Sequence, residues 1–263
     1  MQDLTISLIQ ADLFWEDPDR NLSKFDRILG NIDPNSDLVV LPEMFNTGFT
    51  MNVQKCAETE KGKSIIWLRN KAKELNCVIS GSLLIEEKNK FYNRLFWMRP
   101  DGSFEFYNKR HLFRMSNEHL TMTGGKEIKI VGLKGWKINL QVCYDLRFPV
   151  WSKNALTDGI HAYDILLYVA NWPEIRKQAY EKLLHARAIE NQAYVVWVNR
   201  VGKDGNNIVH SGDSSVIDPY GNVLKKALPM KEEILTAKLS WEVLSDFRKK
   251  FQVGLDWDDF RIE

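Results

Sequence analysis

The chain has 263 residues, of which 44% are apolar and 27% are charged, and this ordinary globular composition excludes a disordered or collagen-like protein. Lysine and arginine number 36 against 35 aspartate and glutamate residues, so the nearly balanced charge provides no basic field for nucleic acid. Three cysteines are too few, and odd in number, for a disulfide framework, which favours a reducing compartment.

The first half of the chain alternates between strand and helix patterns. Clustered apolar residues predict a strand at Leu4–Gln10, and apolar and charged residues at helical spacing predict a helix at Pro18–Leu29. A short apolar run at 37–41 predicts a buried strand. A helix at Lys63–Leu75 and a strand at 78–85 follow. This alternation indicates an α/β layer structure.

The middle of the chain changes to a hairpin and a long loop. Strands at 92–98 and 103–107 flank a Pro-Asp-Gly turn, and the aperiodic segment 109–125 predicts a long loop of a length that usually has a function. A second hairpin turn lies at 218–221, and the charged, aromatic last ~25 residues are expected to cover the body or a neighbour. The remaining predicted elements are a helix at 176–191 and strands at Trp136–Val142, 165–169, Tyr194–Asn199, 209–217 and 222–226.

No linker, fixed-period repeat or low-complexity segment divides the sequence, so we expect one domain spanning residues 1–263. The N-terminus lacks a basic region followed by an apolar stretch, and no run approaches the ~18 apolar residues of a membrane span. We therefore expect a soluble, cytoplasmic protein with neither a membrane nor a nucleic-acid partner.

Three predicted strands each end at a reactive side chain: Glu43, Lys109 and Cys143. Open α/β sheets place their sites at the carboxyl ends of strands. Taken singly, each residue has an ordinary explanation, as a solvated or helix-capping glutamate, a surface lysine and a small buried cysteine. Taken together, they supply the base and the electrostatic partner that a thiol nucleophile needs.

These residue types suit attack on a carbonyl or nitrile carbon. Because a thiol is mostly protonated at neutral pH, Glu43 would take the proton of Cys143 during attack and return it to the departing ammonia. Glu43 would then activate the water that cleaves the thioester. Lys109 and the backbone N–H of Tyr144 would stabilise the oxyanion, and losing one such donor typically costs about 2.7–4 kcal/mol.

The segments around these residues form distinct sequence blocks. They are LPEMF at 41–45, NKRHLF at 108–113 and QVCYDLRFP at 141–149, with further blocks YVANWP at 168–173 and ARAIENQ at 186–192. The spacing is 66 positions from Glu43 to Lys109 and 34 more to Cys143. In blocks, order and spacing, most of the chain resembles the nitrilase (carbon–nitrogen hydrolase) superfamily.

This resemblance implies a four-layer αββα sandwich with a Glu43–Lys109–Cys143 triad. It also implies no metal or other cofactor, and homodimers or larger assemblies that pair through the helical layers. Many members of the superfamily carry a second glutamate after the lysine, and Glu118 is the matching residue here. Glu118 would hold Lys109 and help to orient the substrate amide.

Within the superfamily, the CYDLRFP and Asn-Trp-Pro stretches are most similar to the omega-amidase branch. This similarity implies that the terminal amide of small omega-amido 2-oxo acids, such as 2-oxoglutaramate, is hydrolysed to the acid and ammonia. Arg114, Arg147 and Arg176 are candidates for binding the substrate carboxylate, since arginine can hold a carboxylate bidentately, although each could instead form a structural ion pair. Trp172 would either cover the substrate chain as an apolar wall or pack in the core.

Other functions stay open at this point. A related hydrolase could act on a deaminated peptide amide, a carbamoyl amine or a nitrile, and a catalytically idle member could act as a scaffold. The histidines show no metal-ligand spacing with one another or with cysteine, which disfavours a metal site and a Cys–His pair. The Gly-Gly-Lys at 124–126 lacks the other residues of a phosphate-binding loop.

Overall fold

The structure is a computed structural model and describes residues 1–260 and 262. Its strands are β1 (Leu4–Gln10), β2 (Leu38–Val40), β3 (Val78–Glu87), β4 (Lys90–Met98), β5 (Phe104–Asn108), β6 (Lys129–Leu133), β7 (Trp136–Val142), β8 (Leu156–Thr157), β9 (Ile160–His161), β10 (Ile165–Ala170), β11 (Tyr194–Asn199), β12 (Val201–Lys203), β13 (Val209–Ser211), β14 (Ser215–Ile217), β15 (Val223–Lys226) and β16 (Glu233–Leu239). Its α-helices are α1 (Pro18–Leu29), α2 (Val53–Cys56), α3 (Lys63–Leu75), α4 (Glu118–Thr121), α5 (Pro149–Ser152), α6 (Lys177–Asn191) and α7 (Trp241–Lys250). Short 3₁₀ turns lie at Arg114–Ser116, Cys143–Arg147, Glu174–Arg176 and Val253–Asp256.

One large sheet has the strand order β16-β1-β2-β3-β4-β5. Its strands β1, β2 and β3 are parallel, with Ile6 opposite Leu38 and Leu38 opposite Val78. The other neighbours are antiparallel, including β1 with β16, where Leu4 lies opposite Leu239. Because β4 runs against β3 and β5 runs against β4, the end of β5 lies at the same sheet edge as the ends of β2 and β3.

A second large sheet has the order β15-β14-β11-β10-β7-β6. Its strands β7, β10 and β11 are parallel, with Ile165 opposite both Ile138 and Tyr194. The outer pairs are antiparallel. Each sheet therefore has a parallel centre, and the carboxyl ends of parallel strands are where α/β sheets place their sites.

Alternate residues of the strands divide the apolar core into layers. In β1, Leu4, Ile6 and Leu8 join a cluster that contains apolar residues of both sheets. Ile9 instead joins a second cluster with Phe25 of α1 and residues of α3. Helix α6 packs against β11 and β14 on the other sheet. The order of layers is helix, sheet, sheet and helix, so the predicted αββα sandwich is confirmed.

Helix α1 shows how local sequence fixes an element. The Asp17 side chain accepts a hydrogen bond from the Arg20 backbone N–H at 3.1 Å and caps the helix. Pro18 follows in the first turn, where no backbone N–H is needed. Phe25 and Leu29 are buried, so the apolar face predicted from helical spacing is the one that packs on the sheet.

The loop predicted at 109–125 contains two short helical turns, Arg114–Ser116 and α4. The single strand predicted at 209–217 is wrong: β13 and β14 belong to different sheets, because the backbone turns at Gly212 and Asp213 with φ of +78° and +59°. The other predicted strands and helices agree with the observed bounds to within about two residues.

The elements that the sequence patterns missed are β6, β8, β9, β12, β16, α2, α5 and α7. In the C-terminal segment that was expected to cover the body, Leu244 of α7 is buried and Arg248 donates a hydrogen bond to Asp164 at 2.6 Å. Residues 261 and 263 of that segment lie outside the described residues. No helix within the described part of the chain is both long and apolar enough to cross a membrane.

Candidate active site

Glu43 is fully buried just beyond β2, and both of its carboxylate oxygens accept hydrogen bonds. Oε1 accepts from Lys109 Nζ at 2.9 Å and from Asn93 Nδ2 at 2.7 Å. Oε2 accepts from the backbone N–H of Asn171 at 2.7 Å, and the Asn171 side chain donates to the Glu43 carbonyl. These donors on both oxygens hold the carboxylate in one orientation.

Lys109 follows β5 directly, and its ammonium is buried between two carboxylates. Its Nζ lies 2.9 Å from Glu43 Oε1 and 3.0 Å from Glu118 Oε2. Glu118, at the start of α4, also accepts a hydrogen bond from the Phe113 backbone N–H at 2.6 Å. Nζ further lies 4.9 Å from the centre of the Phe49 ring. The structure thus brings Glu43, Lys109 and Glu118 together out of contact with solvent.

Cys143 is the first residue of the 3₁₀ turn that follows β7. Its backbone has a φ of +46°, a left-handed conformation that is uncommon for a residue other than glycine. Such a conformation persists only where the surroundings hold it. Here the carboxylate of Asp145 accepts a hydrogen bond from the Val142 N–H at 3.0 Å and supports the turn.

Asp145 also joins the Cys143 turn to the segment that carries Lys109. Its Oδ2 accepts a hydrogen bond from the Tyr107 hydroxyl at 2.8 Å. Its Oδ1 accepts from the backbone N–H of His111 at 3.0 Å and lies 2.8 Å from His111 Nδ1. Because Asp145 is fully buried and bonded on both sides, it fixes the two segments relative to each other.

The buried cluster disfavours any further negative charge, since Glu43 and Glu118 are two carboxylates against one ammonium. Burial would lower the pKa of Lys109, but the carboxylates of Glu118 and Glu43 outweigh it and raise that pKa. Burial raises the pKa of Glu118, with Glu43 adding to the effect and Lys109 opposing it. Burial, and then the Glu43 carboxylate, raise the pKa of the Cys143 thiol despite Lys109. The resting thiol is therefore protonated at neutral pH.

Lys109 and Cys143 line one cavity of about 600 Å³, and Glu43 lies directly behind Lys109. Three residues predicted to bind substrate also line this cavity: Arg147, Trp172 and Arg176. Arg114, the fourth, is exposed and is not among the residues that line the cavity. Trp172 lines the cavity and is also part of the core.

The two lining arginines differ from structural arginines in having no ion pair. Arg147 lies over the Trp172 ring, 5.0 Å from its centre, and Arg176 lies over the Phe113 ring at 5.3 Å. Among residues 1–260 and 262, neither guanidinium forms a salt bridge. Arginines without an ion-pair partner are suited to an anionic ligand, and the carboxylates of Glu16 and Asp204 line the same cavity.

Comparison with known proteins decides the family. A family model described as carbon–nitrogen hydrolase matches residues 5–249. The chain belongs to the carbon–nitrogen hydrolase family. It is 44% identical over 262 residues to the omega-amidase YafV of Escherichia coli (strain K12), and the match covers 100% of both chains. It is 32% identical over 260 residues to the 2-oxoglutaramate amidase of Bacillus subtilis (strain 168), with 98% of this chain and 97% of the relative covered.

Solved structures agree with this assignment. XC1258 from Xanthomonas campestris, a CN-hydrolase superfamily protein with an arsenic adduct in its active site, is similar with a TM-score of 0.98 and 43% identity over 100% of both chains. The superfamily resemblance of the sequence blocks is therefore confirmed. This carbon–nitrogen hydrolase is an enzyme that acts on non-peptide amide bonds.

Sequence reasoning did not single out two asparagines that contact Glu43 of this carbon–nitrogen hydrolase. Asn171 follows β10 just as Glu43 follows β2, so its position at a strand end was a usable signal. Asn93 lies inside β4, where no local pattern distinguishes it from other polar strand residues. Only its side-chain contacts with Glu43 and Glu118 in the folded structure identify Asn93.

The histidines do not replace the predicted triad. His210 lines the cavity, but burial, and then the nearby Arg200, lower its pKa to about 4, so it is neutral at neutral pH. His111 is engaged with Asp145. In the described residues, no group of three or more His, Cys, Asp and Glu side chains is arranged to hold a metal ion. That the enzyme needs no metal or other cofactor stays a prediction.

Proposed function

We propose that the protein hydrolyses the terminal amide of small omega-amido 2-oxo acids, such as 2-oxoglutaramate, through a Cys143 thioester. One observation carries the proposal: the Cys143 thiol shares a cavity with Arg147 and Arg176, two cations without ion-pair partners. An omega-amido acid places an amide at one end and a carboxylate at the other. The names of the relatives, an omega-amidase and a 2-oxoglutaramate amidase, support the same substrate class.

The first step forms a bond between Cys143 Sγ and the amide carbon. The thiol is protonated at rest, so attack requires a base that takes its proton as the carbon–sulfur bond forms. Glu43 is that base in this proposal. Its Oε1 already accepts two hydrogen bonds and Oε2 accepts one from Asn171, which leaves Oε2 as the oxygen for the proton.

The tetrahedral intermediate carries a negative oxygen that needs donors. The ammonium of Lys109 has three N–H bonds, and Glu43 and Glu118 occupy two directions, so one remains for the oxyanion. The backbone N–H of Tyr144, next to the nucleophile, supplies a second donor. Glu118 accepts a hydrogen bond from Lys109 as well and keeps the ammonium in place.

Collapse of the intermediate breaks the carbon–nitrogen bond. Glu43 returns its proton to the nitrogen, which leaves as ammonia, and the acyl group remains on Cys143 as a thioester. Glu43 then takes a proton from water as the water oxygen attacks the thioester carbon. The carbon–sulfur bond breaks, the proton returns to sulfur, and the free dicarboxylate leaves with the enzyme in its starting state.

The carboxylate end of the substrate contacts the arginines. Arg147 and Arg176 are held over aromatic rings, which limits their movement and favours bidentate binding. Trp172 covers the short carbon chain between the two ends. This arrangement selects substrates that carry a negative charge a few bonds from the amide.

A substrate panel tests the proposed class. Ammonia release is measured with 2-oxoglutaramate, glutamine, asparagine, a deaminated peptide amide, a nitrile and a carbamoyl amino acid. We expect the highest kcat/KM with 2-oxoglutaramate. A higher kcat/KM with a nitrile or a carbamoyl amino acid would show that the proposed substrate class is wrong. No turnover of any compound in the panel would favour the scaffold hypothesis.

Variants test the residue roles. Cys143→Ala and Glu43→Gln should lose turnover while keeping the fold, and no thioester should accumulate in either. Arg147→Met and Arg176→Met should each raise KM for 2-oxoglutaramate about 10–100-fold, the value of a lost charge-assisted hydrogen bond. Arg114→Met is the matched control and should leave KM unchanged, because Arg114 lies outside the cavity.

Assembly and location complete the proposal. We expect homodimers or larger assemblies, which light scattering of the purified protein measures directly. The single domain and the cytoplasmic location stay predictions from the sequence, as does the absence of nucleic-acid and membrane partners.

A further inference from the structure

We propose that Asn93 is a positioning residue of the active site, which holds Glu43 and Glu118 together and keeps Glu43 oriented as the base. This inference rests on the proposed role of Glu43. It adds a residue that no sequence block around the triad contains.

The sheet places Asn93 beside Lys109. The backbone N–H of Lys109 donates to the Asn93 carbonyl at 2.9 Å, so the two residues are cross-strand neighbours of β4 and the end of β5. Side chains of directly opposed residues point to the same face of a sheet. Asn93 is 1% exposed, and its side chain therefore lies with that of Lys109 inside the buried cluster.

The Asn93 amide bridges the two carboxylates. Its Nδ2 donates to Glu43 Oε1 at 2.7 Å and lies 3.3 Å from Glu118 Oε1. Lys109 Nζ donates to the same two oxygens, at 2.9 and 3.1 Å. Two donors and two acceptors thus alternate around a closed ring, with each donor separating the two negative oxygens.

A neutral amide suits this position better than a cationic or an anionic side chain would. A second cation would compensate Glu43 so fully that it would be a poor base, whereas an aspartate would add a third carboxylate. A neutral amide donor reduces the repulsion without changing the charge. The Oδ1 atom of Asn93 has no hydrogen-bond partner among the described residues, so the side chain is retained there for its donors and not for its acceptor.

The two carboxylate oxygens of Glu43 therefore have different roles. Asn93 and Lys109 together occupy Oε1. Proton transfer then falls to Oε2. Without Asn93, the two carboxylates would hold a proton more tightly between them and Glu43 would be free to rotate, so less of the enzyme would carry a correctly placed, ionised base.

Two variants separate the effect of the Asn93 N–H donor from the effect of the side-chain volume. Asn93→Ala removes both, and Asn93→Asp keeps the size but replaces the donor with an acceptor. With 2-oxoglutaramate, and succinamate as a second amide, we expect kcat to fall about 10–100-fold in Asn93→Ala, and at least as far in Asn93→Asp, with KM changed much less. The acidic limb of kcat/KM should move up by about one pH unit in Asn93→Ala, because a more tightly held proton is lost only at higher pH.

Asn139→Ala is the matched control, since Asn139 is equally buried but lies on β7, with no hydrogen bond to either glutamate. Its acidic limb should match that of the unaltered chain. Thermal unfolding of every variant shows whether the fold persists. A role in packing alone predicts that Asn93→Asp is milder than Asn93→Ala, and that order, or an unmoved acidic limb, would overturn the inference.

Failure of the proposed function has a different signature. If Cys143→Ala or Glu43→Gln kept full activity, the mechanism and the role of Asn93 would both be overturned. If those two variants were inactive while both Asn93 variants had normal kcat, only the inference about Asn93 would be overturned.

Discussion

Lys109→Met would remove the ammonium that separates two buried carboxylates while keeping a side chain of similar length. In the intact chain, Nζ lies 2.9 Å from Glu43 and 3.0 Å from Glu118, and none of the three side chains is exposed. Removing one partner of a buried ion pair typically costs about 3–5 kcal/mol, because a charge stays buried without compensation. We expect a loss of at least about 3 kcal/mol at pH 8, a large part of the 5–15 kcal/mol that is typical of a domain.

The cost should depend on pH in a defined direction. Burial and Glu43 already raise the pKa of Glu118, and the variant loses the opposing effect of Lys109, so this pKa rises further. A carboxyl group with a raised folded-state pKa costs stability above its unfolded value of 4.5, and the cost grows until the pH passes the folded value. Lowering the pH from 8 to 6 should therefore restore stability, by up to about 1.4 kcal/mol per pH unit for one proton.

Urea denaturation followed by tryptophan fluorescence at pH 6, 7 and 8 measures this dependence. Lys109→Met/Glu118→Gln removes one of the two carboxylates and should recover stability at pH 8. It should not recover turnover, because Lys109 is the proposed oxyanion donor, and losing such a donor lowers kcat by about 10²–10³-fold. Lys238→Met is the control, since its exposed ion pair with Asp3, at 3.1 Å, should contribute little. A Lys109→Met protein as stable as its parent at pH 8 would refute the reasoning.

Two other predictions concern the Cys143 turn. Asp145→Asn should lower kcat by at least about tenfold and the free energy of unfolding by about 2 kcal/mol, because an amide N–H then faces the backbone N–H of Val142 or His111. Steady-state kinetics measure kcat, and urea denaturation measures the free energy of unfolding. Unchanged values would contradict the conclusion that Asp145 supports the Cys143 turn. Iodoacetamide should alkylate Cys143 faster than Cys77, because Cys143 lines the cavity beside Glu43, which can take the proton of the attacking thiol, whereas Cys77 is buried in a core cluster. Peptide mass spectrometry gives the two rates, and equal rates would show that the cavity does not expose Cys143 to the reagent.

Local patterns were sufficient for elements whose own residues carry a clear apolar pattern. The buried runs that became β2, β10 and β11 and the amphipathic face of α1 are specified by adjacent residues. Strand β16 carries a usable alternation in Leu235, Ala237 and Leu239, but it is a strand because it pairs with β1 at the other end of the chain. No local pattern contains that pairing.

The same distinction between local patterns and long-range contacts applies to the site. Glu43 and Cys143 could be predicted because each follows a buried strand, and strand ends converge at the edges of parallel sheets. Asn93 could not, because its role depends on β4 lying between two other strands. Arg147 and Arg176 were candidates by residue type, and only the folded structure shows that both line the cavity without an ion pair among the described residues.

The raised pKa of Cys143 suits the hydrolysis of an amide. The nitrogen of an amide leaves as ammonia only if it receives a proton, and a preformed thiolate would have released its proton to water before the substrate arrived. A protonated thiol beside Glu43 brings one proton into the cavity for each attack. Under the proposed roles, that proton passes from sulfur to Glu43 and then to nitrogen while Lys109 and Asn93 hold the carboxylate. The excess negative charge that disfavours the thiolate thus also secures the proton for the leaving group.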